Sequence, residues 1–261
     1  MGARATRVTR AWYPRHMPRW LAHTIVVCLL AAGIAAAFAR IGYEWNWAGV
    51  WEYRGLLVRG WLTTVAVSLA ALAASILIGA VAAAMLRSGR PLVEATARVY
   101  VELIRGTPLL VQLLIGFYVV ASAVGLDNRY VAGVLVLALF SGAYMAEIFR
   151  GGLDAIPRAQ IDSGRAIGLT PGQILRLVVL PQAVRIALPA VAGQLVSLVK
   201  DSSLLSVIAI SEFTLAAQEV NSFTYSALES YLPLAAGYLA LTLPLSALAR
   251  VLERHFRYES A

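Results

Sequence analysis

Residues 61–86 read WLTTVAVSLAALAASILIGAVAAAML, 26 residues without a single Asp, Glu, Lys or Arg. As a helix this run reaches about 39 Å, more than the ~30 Å hydrocarbon core of a bilayer. Backbone polar groups in lipid must be satisfied internally, so a stretch this apolar reads as a transmembrane helix. Within it Ala71, Ser75, Gly79 and Ala83 recur every fourth position. They form one flat stripe where a second helix backbone can approach closely, as association in lipid requires. Ala138, Gly142 and Ala146 repeat the spacing further on. Alanine-rich helices also produce such stripes by chance, but the expectation is a packed bundle.

Composition agrees with the membrane reading. The 261 residues are 60% hydrophobic and 14% charged, against the roughly 25% charged usual in soluble domains. Lys+Arg is 22 against 14 for Asp+Glu, a formal +8, and Lys200 is the only lysine. Arginines anchoring cytoplasmic loops account for that balance better than nucleic acid does, and no nucleic-acid partner is expected. The single Cys28 allows no intrachain disulfide or cysteine zinc cluster. His16, His23 and His255 lie near the ends, so no metal site is expected.

Further apolar runs give a six-span reading: 21–39, 61–86, 109–124, 130–149, 183–199 and 231–249. The first follows a basic segment and resembles a signal peptide, yet no small-x-small cleavage site precedes a soluble domain, so it reads as a retained helix. With both termini inside, the cytoplasmic segments 1–20, 87–107, 150–185 and 250–261 hold 17 basic residues and the outer segments hold 5. That asymmetry follows the positive-inside rule. Trp45, Trp47, Trp51 and Trp61 then belong to the outer interface. Pro189, Pro233 and Pro244 are tolerated where neighbouring helices re-satisfy freed carbonyls. No span carries a charge at its midpoint, as an ion-coupled transporter would be expected to. Glu147 comes nearest and reads as an interfacial pair with Arg150.

Residues 150–181, RGGLDAIPRAQIDSGRAIGLTPGQILRLVVLP, are too long for a bare connector. Pro157 can open a turn, 159–167 permits helix, and Gly168 ends the run. Thr170 can cap a second helix with Pro171 at its first position and Ile174, Leu177 and Val178 on its apolar side. The expectation is a short helix, a tight turn and a helix leading back into the bilayer.

This loop resembles the cytoplasmic signature of the permease subunits of bacterial ABC importers of polar amino acids, the binding-protein-dependent transport inner membrane component family. The signature runs Glu-Ala-Ala, then Gly, then hydrophobic-Leu-Pro. Here Asp162-Ser163-Gly164, Gly168 and Val179-Leu180-Pro181 occupy those places, with Asp for Glu and small for small. The segments VELIRGTPLLVQL (101–113), SGAYMAEIFRGGLDAIPRAQ (141–160), LPQAVRIALPAVAGQLVSLVKDSSLLSVI (180–208) and the tail TLPLSALARVLERHFR resemble the family as well, over roughly 56–257.

The resemblance implies an all-α polytopic protein with a five-span type I importer core at 56–257, containing a coupling loop at 150–181. In front of it stand a cytoplasmic basic segment at 1–20, an extra N-terminal helix at 21–39 and a periplasmic loop at 40–55. It implies ATPase coupling by Ala155, Pro157, Asp162, Ser163, Gly164, Gly168, Leu180 and Pro181, with a short helix at about 155–168 lying in a groove of the ATPase. Arg105, Gly106, Thr107 and Pro108 precede a pore-lining helix in the family. From the residues alone, Pro108 starting the helix and Arg105 anchoring at lipid phosphates stands level with a gating role. Lys200, Asp201 and Ser202 lie near the translocation path in the family, and a solvated charge pair is an equal reading. Glu147 joins this group. Expected partners are a dimer of cytoplasmic ATP-binding subunits, a second permease chain, identical or homologous, a periplasmic or tethered amino acid binding protein, and the lipid bilayer.

Enzyme readings fall away. Ser197-Leu198-Val199-Lys200 fits Ser-x-x-Lys, but its partner motifs are missing and the serine lies inside a span. No Gly-x-x-x-x-Gly-Lys-Ser/Thr loop exists, so ATP hydrolysis belongs to another subunit. No catalytic residue or cofactor is expected. The expected function is the translocation pore of an ATP-driven importer of polar L-amino acids in the bacterial inner membrane. The alternative is an ion-coupled secondary transporter or channel, which has no need of the helical loop.

Overall fold

The computed structural model describes residues 18–41 and 43–256. Most of the basic N-terminal segment and the last five residues of the basic tail therefore lie outside the described residues. The chain divides between Trp45 and Asn46 into two compact units. The first contains α1 (Arg19–Ile41), whose apolar stretch Thr24–Ala37 covers most of the first expected span.

In the second unit, α2 (Trp47–Glu52) is capped by the Asn46 side chain, which accepts from Gly49 N at 3.0 Å. α3 (Arg54–Leu86) contains the whole charge-free run. α4 (Pro91–Gly106) and α5 (Leu109–Ile115) follow, and then α6 (Arg129–Asp154), capped by Asn128. α7 (Arg158–Ala166), α8 (Pro171–Ile174) and α9 (Leu180–Asp201) come next, and α10 (Phe213–Thr224) and α11 (Ala227–Phe256) end the fold.

Among the described residues four helices are long and apolar enough to cross a membrane: α3, the run from Pro171 to Ile208, α6 and α11. A fifth arises if α4 and α5 form one broken span. The protein is thus an all-α, multi-pass membrane protein.

α3 and α6 form the most extensive helix pair, and the small-residue stripes explain it. Ala71, Ser75, Gly79 and Ala83 on α3, and Ala138, Gly142 and Ala146 on α6, are all buried. With no side chain at Gly79 and Gly142, Met145 and Ile78 occupy the space a Cβ would take. α9 packs against α6 and α11, and α10 against α3 and α11. Val67, Leu113, Leu137, Leu198, Leu205 and Ile210 form the core between α3, α5, α6 and α9.

Three places refine the sequence reading. Residues 87–107 are not a connector, because 91–106 are helix α4, bent by 110° against the helix Leu109–Ala121. Pro108 has no N–H to continue the ladder and pushes Thr107 into extended backbone at φ −122° and ψ 148°. The third span is also not uniform, since Gly116–Ala121 winds as a π-helix. The helix that opens at Pro171 continues as one span through the run 183–199, with π-helical turns at Leu175–Val179. Pro181 cannot bond back to Leu177, and Leu180 N instead reaches Leu175 O.

Candidate functional site

At one end of the bundle the loop between α6 and α9 builds the helix-turn-helix. Ala155 caps the C-terminus of α6 and Pro157 stands at the N-cap of α7. Gly168 has φ +84° and closes α7 with a Schellman motif, Gly168 N bonding Arg165 O and Leu169 N bonding Gly164 O. The capping box is complete: Thr170 Oγ1 accepts from Gln173 N, and Gln173 Oε1 accepts from Thr170 N at 2.8 Å. Ile156, Ile174 and Val179 form a separate small core, with Ile161 and Leu169 against it.

This arrangement gives α7 two faces. Gly164 is buried against Ile174. Asp162, Ser163 and Ile167 are exposed, Ile167 at 77%. Asp162 pairs with Arg165 at 3.1 Å. Gln182 Nε2 donates to Gln160 Oε1 at 2.6 Å and to Val178 O at 2.8 Å, which ties α7 directly to the start of α9 beside Leu180 and Pro181. The sequence reading missed Gln160 and Gln182, because a pairing 22 residues apart has no periodic signal.

Five charged side chains join α3, α4 and α6 at the same end. Arg150 grips Glu147 with two nitrogens at 2.7 and 3.3 Å and Asp154 with a third at 3.0 Å. Arg87 at the C-cap of α3 pairs with Asp154. Arg105 lies 3.8 Å from Glu147 and 5.3 Å from the Tyr144 ring centre. Glu147 thus has Arg150 as its close partner, as expected, and Arg105 as a second.

Arg105, Gly106, Thr107 and Pro108 form the elbow between α4 and α5. Gln112 Nε2 spans it, donating to Ile104 O at 2.7 Å, Thr107 O at 3.1 Å and Thr107 Oγ1 at 2.8 Å. Nothing in the local sequence around Gln112 marks it for this role.

Lys200, Asp201 and Ser202 lie at the opposite end of α9, away from these groups. Lys200 is exposed and Asp201 half-buried, while Ser202 is buried with its hydroxyl on Val199 O at 2.9 Å. Ser202 is therefore spent on its own helix. At mid-helix Gln194 Nε2 donates to the buried Ser141 Oγ at 3.2 Å, joining α9 to α6.

Near that opposite end sits a buried acid that the sequence reading did not single out. Glu212 is fully buried at the N-cap of α10 and accepts from Thr214 N and Leu215 N, both at 2.9 Å. Tyr238 of α11 donates to it at 3.0 Å and Thr64 of α3 at 3.3 Å. Burial pushes its carboxyl above the usual range, against the pull of these four donors. An acid just ahead of an apolar helical run is a capping signal, but its burial is tertiary. A second buried acid, Glu229, accepts from Asn46 N at 2.5 Å and binds the start of α2 to α11.

Among the described residues no cluster of His, Cys, Asp or Glu could hold a metal. The described residues thus form a packed multi-pass bundle with a helix-turn-helix at one end. Residues 75–258 match the family model described as "Binding-protein-dependent transport system inner membrane component", and the chain belongs to that family. Its members are non-catalytic inner-membrane permease subunits of ABC transporters.

The chain is 31% identical over 256 residues to the arginine transport system permease protein ArgU of Corynebacterium glutamicum, covering 93% of this chain and 81% of that one. It is 35% identical over 217 residues to the glutamine transport system permease protein GlnP of Escherichia coli, covering 82% and 99%. A solved structure described as an amino acid ABC transporter with histidines superposes with a TM-score of 0.75 at 34% identity, covering 82% of this chain and all of that one.

Proposed function

We propose that this permease imports polar L-amino acids, handed over by a periplasmic or tethered binding protein, when a dimer of separate ATP-binding subunits closes on its cytoplasmic face. The observation that carries the reading is the two-faced α7. Its inner face is packed through Ile161 and Gly164 onto α8 and the π-helical turns that lead into α9, while Asp162, Ser163 and Ile167 stay exposed. A push on the exposed face is transmitted to α9 through packed side chains and the Gln160–Gln182 bond. Ala155, Pro157, Gly168, Leu180 and Pro181 shape that coupling element. It biases a bundle with inward-open and outward-open states.

In this reading α7 lies on the cytoplasmic side, both termini are cytoplasmic, and α1 with the broken α4–α5 span brings the total to six. The importer core is 56–257, behind a basic segment at 1–20, an extra helix at 21–39 and a periplasmic loop at 40–55. The match to nearly the whole of GlnP within 217 residues supports this division. The Arg105–Pro108 elbow and Glu147 act as the cytoplasmic gate, and Lys200 and Asp201 lie towards the outer mouth. Ser202 belongs with them by position alone. One coupling element per chain calls for a second permease chain, identical or homologous, to engage two ATPases. Relatives named for arginine and glutamine transport support the amino acid class.

Co-purification with the ATPase, followed by uptake of a panel of labelled amino acids into proteoliposomes, tests the proposal. ATP- and binding-protein-dependent uptake of at least one polar amino acid is expected. Uptake that persists without the ATPase overturns it.

A further inference from the structure

A groove of about 820 Å³ opens between α3, α6, α7, α8 and α9. Its long walls are Ile76 to Arg87 on α3 and Leu180 to Val191 on α9. Each wall spans about 16 Å at the helical rise, close to half of a ~30 Å hydrocarbon core. Apart from Arg87 and Arg165, every lining side chain is apolar. Both arginines sit at the α7 end, where the span α3 has just finished. Leu175, Leu180 and Val184 on the wall remain exposed.

We propose that this groove is a site for an anionic phospholipid of the inner leaflet, one acyl chain lying along α3 and α9 and the phosphate held between Arg87 and Arg165. The proposal rests on the reading that α7 is cytoplasmic. Three features select this occupant. The apolar length fits one leaflet, the charge is confined to the end where that leaflet's headgroups lie, and both charges are positive. Basic pockets between spans on the cytoplasmic side suit acidic headgroups. Asp154 and Asp162 each engage one nitrogen of these arginines. The Arg87–Asp154 side chains are 46% and 45% exposed and the Arg165–Asp162 side chains 69% and 66%, and ion pairs this open to solvent contribute little. A guanidinium has five donors, so a phosphate adds to the pair instead of displacing it. The floor of the groove is Ile161, Pro171, Ile174 and Val179, the packing that joins α7 to α9. A lipid there braces the coupling element.

The test uses the full-length chain co-expressed with its ATPase. A photoreactive amino acid at Val184, irradiated in native membranes, is expected to gain the mass of a phospholipid; a polypeptide adduct, from a second copy or any other chain, overturns the proposal. Complexes taken from vesicles of equal phosphatidylglycerol and phosphatidylcholine are expected to retain the anionic phosphatidylglycerol at least threefold in excess by native mass spectrometry. The double variant Arg87→Gln, Arg165→Gln should lose that excess. Ala84→Phe, which fills the groove and keeps both arginines, should lose bound lipid of either kind. Equal retention of the two lipids, or unchanged retention in both variants, overturns the proposal. Sidedness is read separately, with an impermeant thiol reagent on Arg165→Cys in a Cys28→Ser background. Labelling from outside overturns the leaflet assignment, whereas the lipid ratio tests the site itself.

Discussion

Gly79 of α3 lies so close to Met145 of α6 that a Cβ on Gly79 would stand 2.3 Å from the Met145 Cβ. The same point is 3.0 Å from the backbone nitrogen of Ala146, so rotating a side chain cannot relieve the overlap. Gly79→Val should force the central helix pair apart at a cost of about 1–3 kcal/mol. A lower thermal midpoint of the detergent-extracted permease is the expected readout. Gly193→Ala, inside α9 with nothing within 4 Å of the new carbon, should leave the midpoint level or raise it slightly, since Ala favours helix over Gly by about 0.5–1 kcal/mol.

Gln112 offers a second prediction. Its amide donates to three acceptors across the 110° elbow, and Leu fits the same volume without any donor. Gln112→Leu should insert normally and lose uptake several-fold, since each lost hydrogen bond is worth about 1 kcal/mol in holding the bend. Uptake per molecule equal to that of the parent would show that the elbow keeps its shape unaided.

Gly168 has φ +84°, where a β-branched residue is strained. Gly168→Val should distort the Schellman turn and separate ATP hydrolysis from uptake, with hydrolysis persisting and uptake lost. Gly168→Asn, which tolerates the left-handed region, should retain more coupling. If uptake in Gly168→Val simply followed expression level, the coupling role of this loop would be wrong.

Glu212 predicts a pH dependence. Burial raises its folded-state pKa above the unfolded value, so the folded protein holds this proton more tightly. Its contribution to stability is present below the ordinary carboxyl range and falls as pH rises from there through the raised folded value. Glu212→Gln should flatten that fall in melting curves collected from acid to neutral pH. A curve parallel to the parent would assign the dependence to another group. Glu212→Ala, which removes the cap and leaves Thr64 and Tyr238 facing a void, should cost about 0.5–2 kcal/mol for the cap alone.

Spans, stripes and caps were legible because each depends on neighbours a few residues away. A charge-free run of 26 residues, small residues every fourth place, and Thr170 followed by Pro171 carry their meaning locally. The 110° elbow was half legible: Pro108 marks a break, but the same residues suit a loop entering a straight span. Whether 91–106 is a connector or a helix depends on Ala97 and Val101 finding a buried face, and Val101 packs against Ala82, Ala143 and Ala146.

By itself, then, the sequence determined that this chain crosses a membrane several times, that one end of it is basic, and that a capped helix-turn-helix interrupts the spans. Those follow from hydropathy, charge and backbone chemistry, which act over one turn or one span. Only the tertiary structure decided that Gln112 bridges the elbow, that Gln160 meets Gln182, and that Glu212 is buried among donors from three helices. Partners 5, 22 and 148 residues apart obey no period. A hydrogen bond's strength depends on the distance and burial that packing imposes, and packing is set by the whole bundle at once.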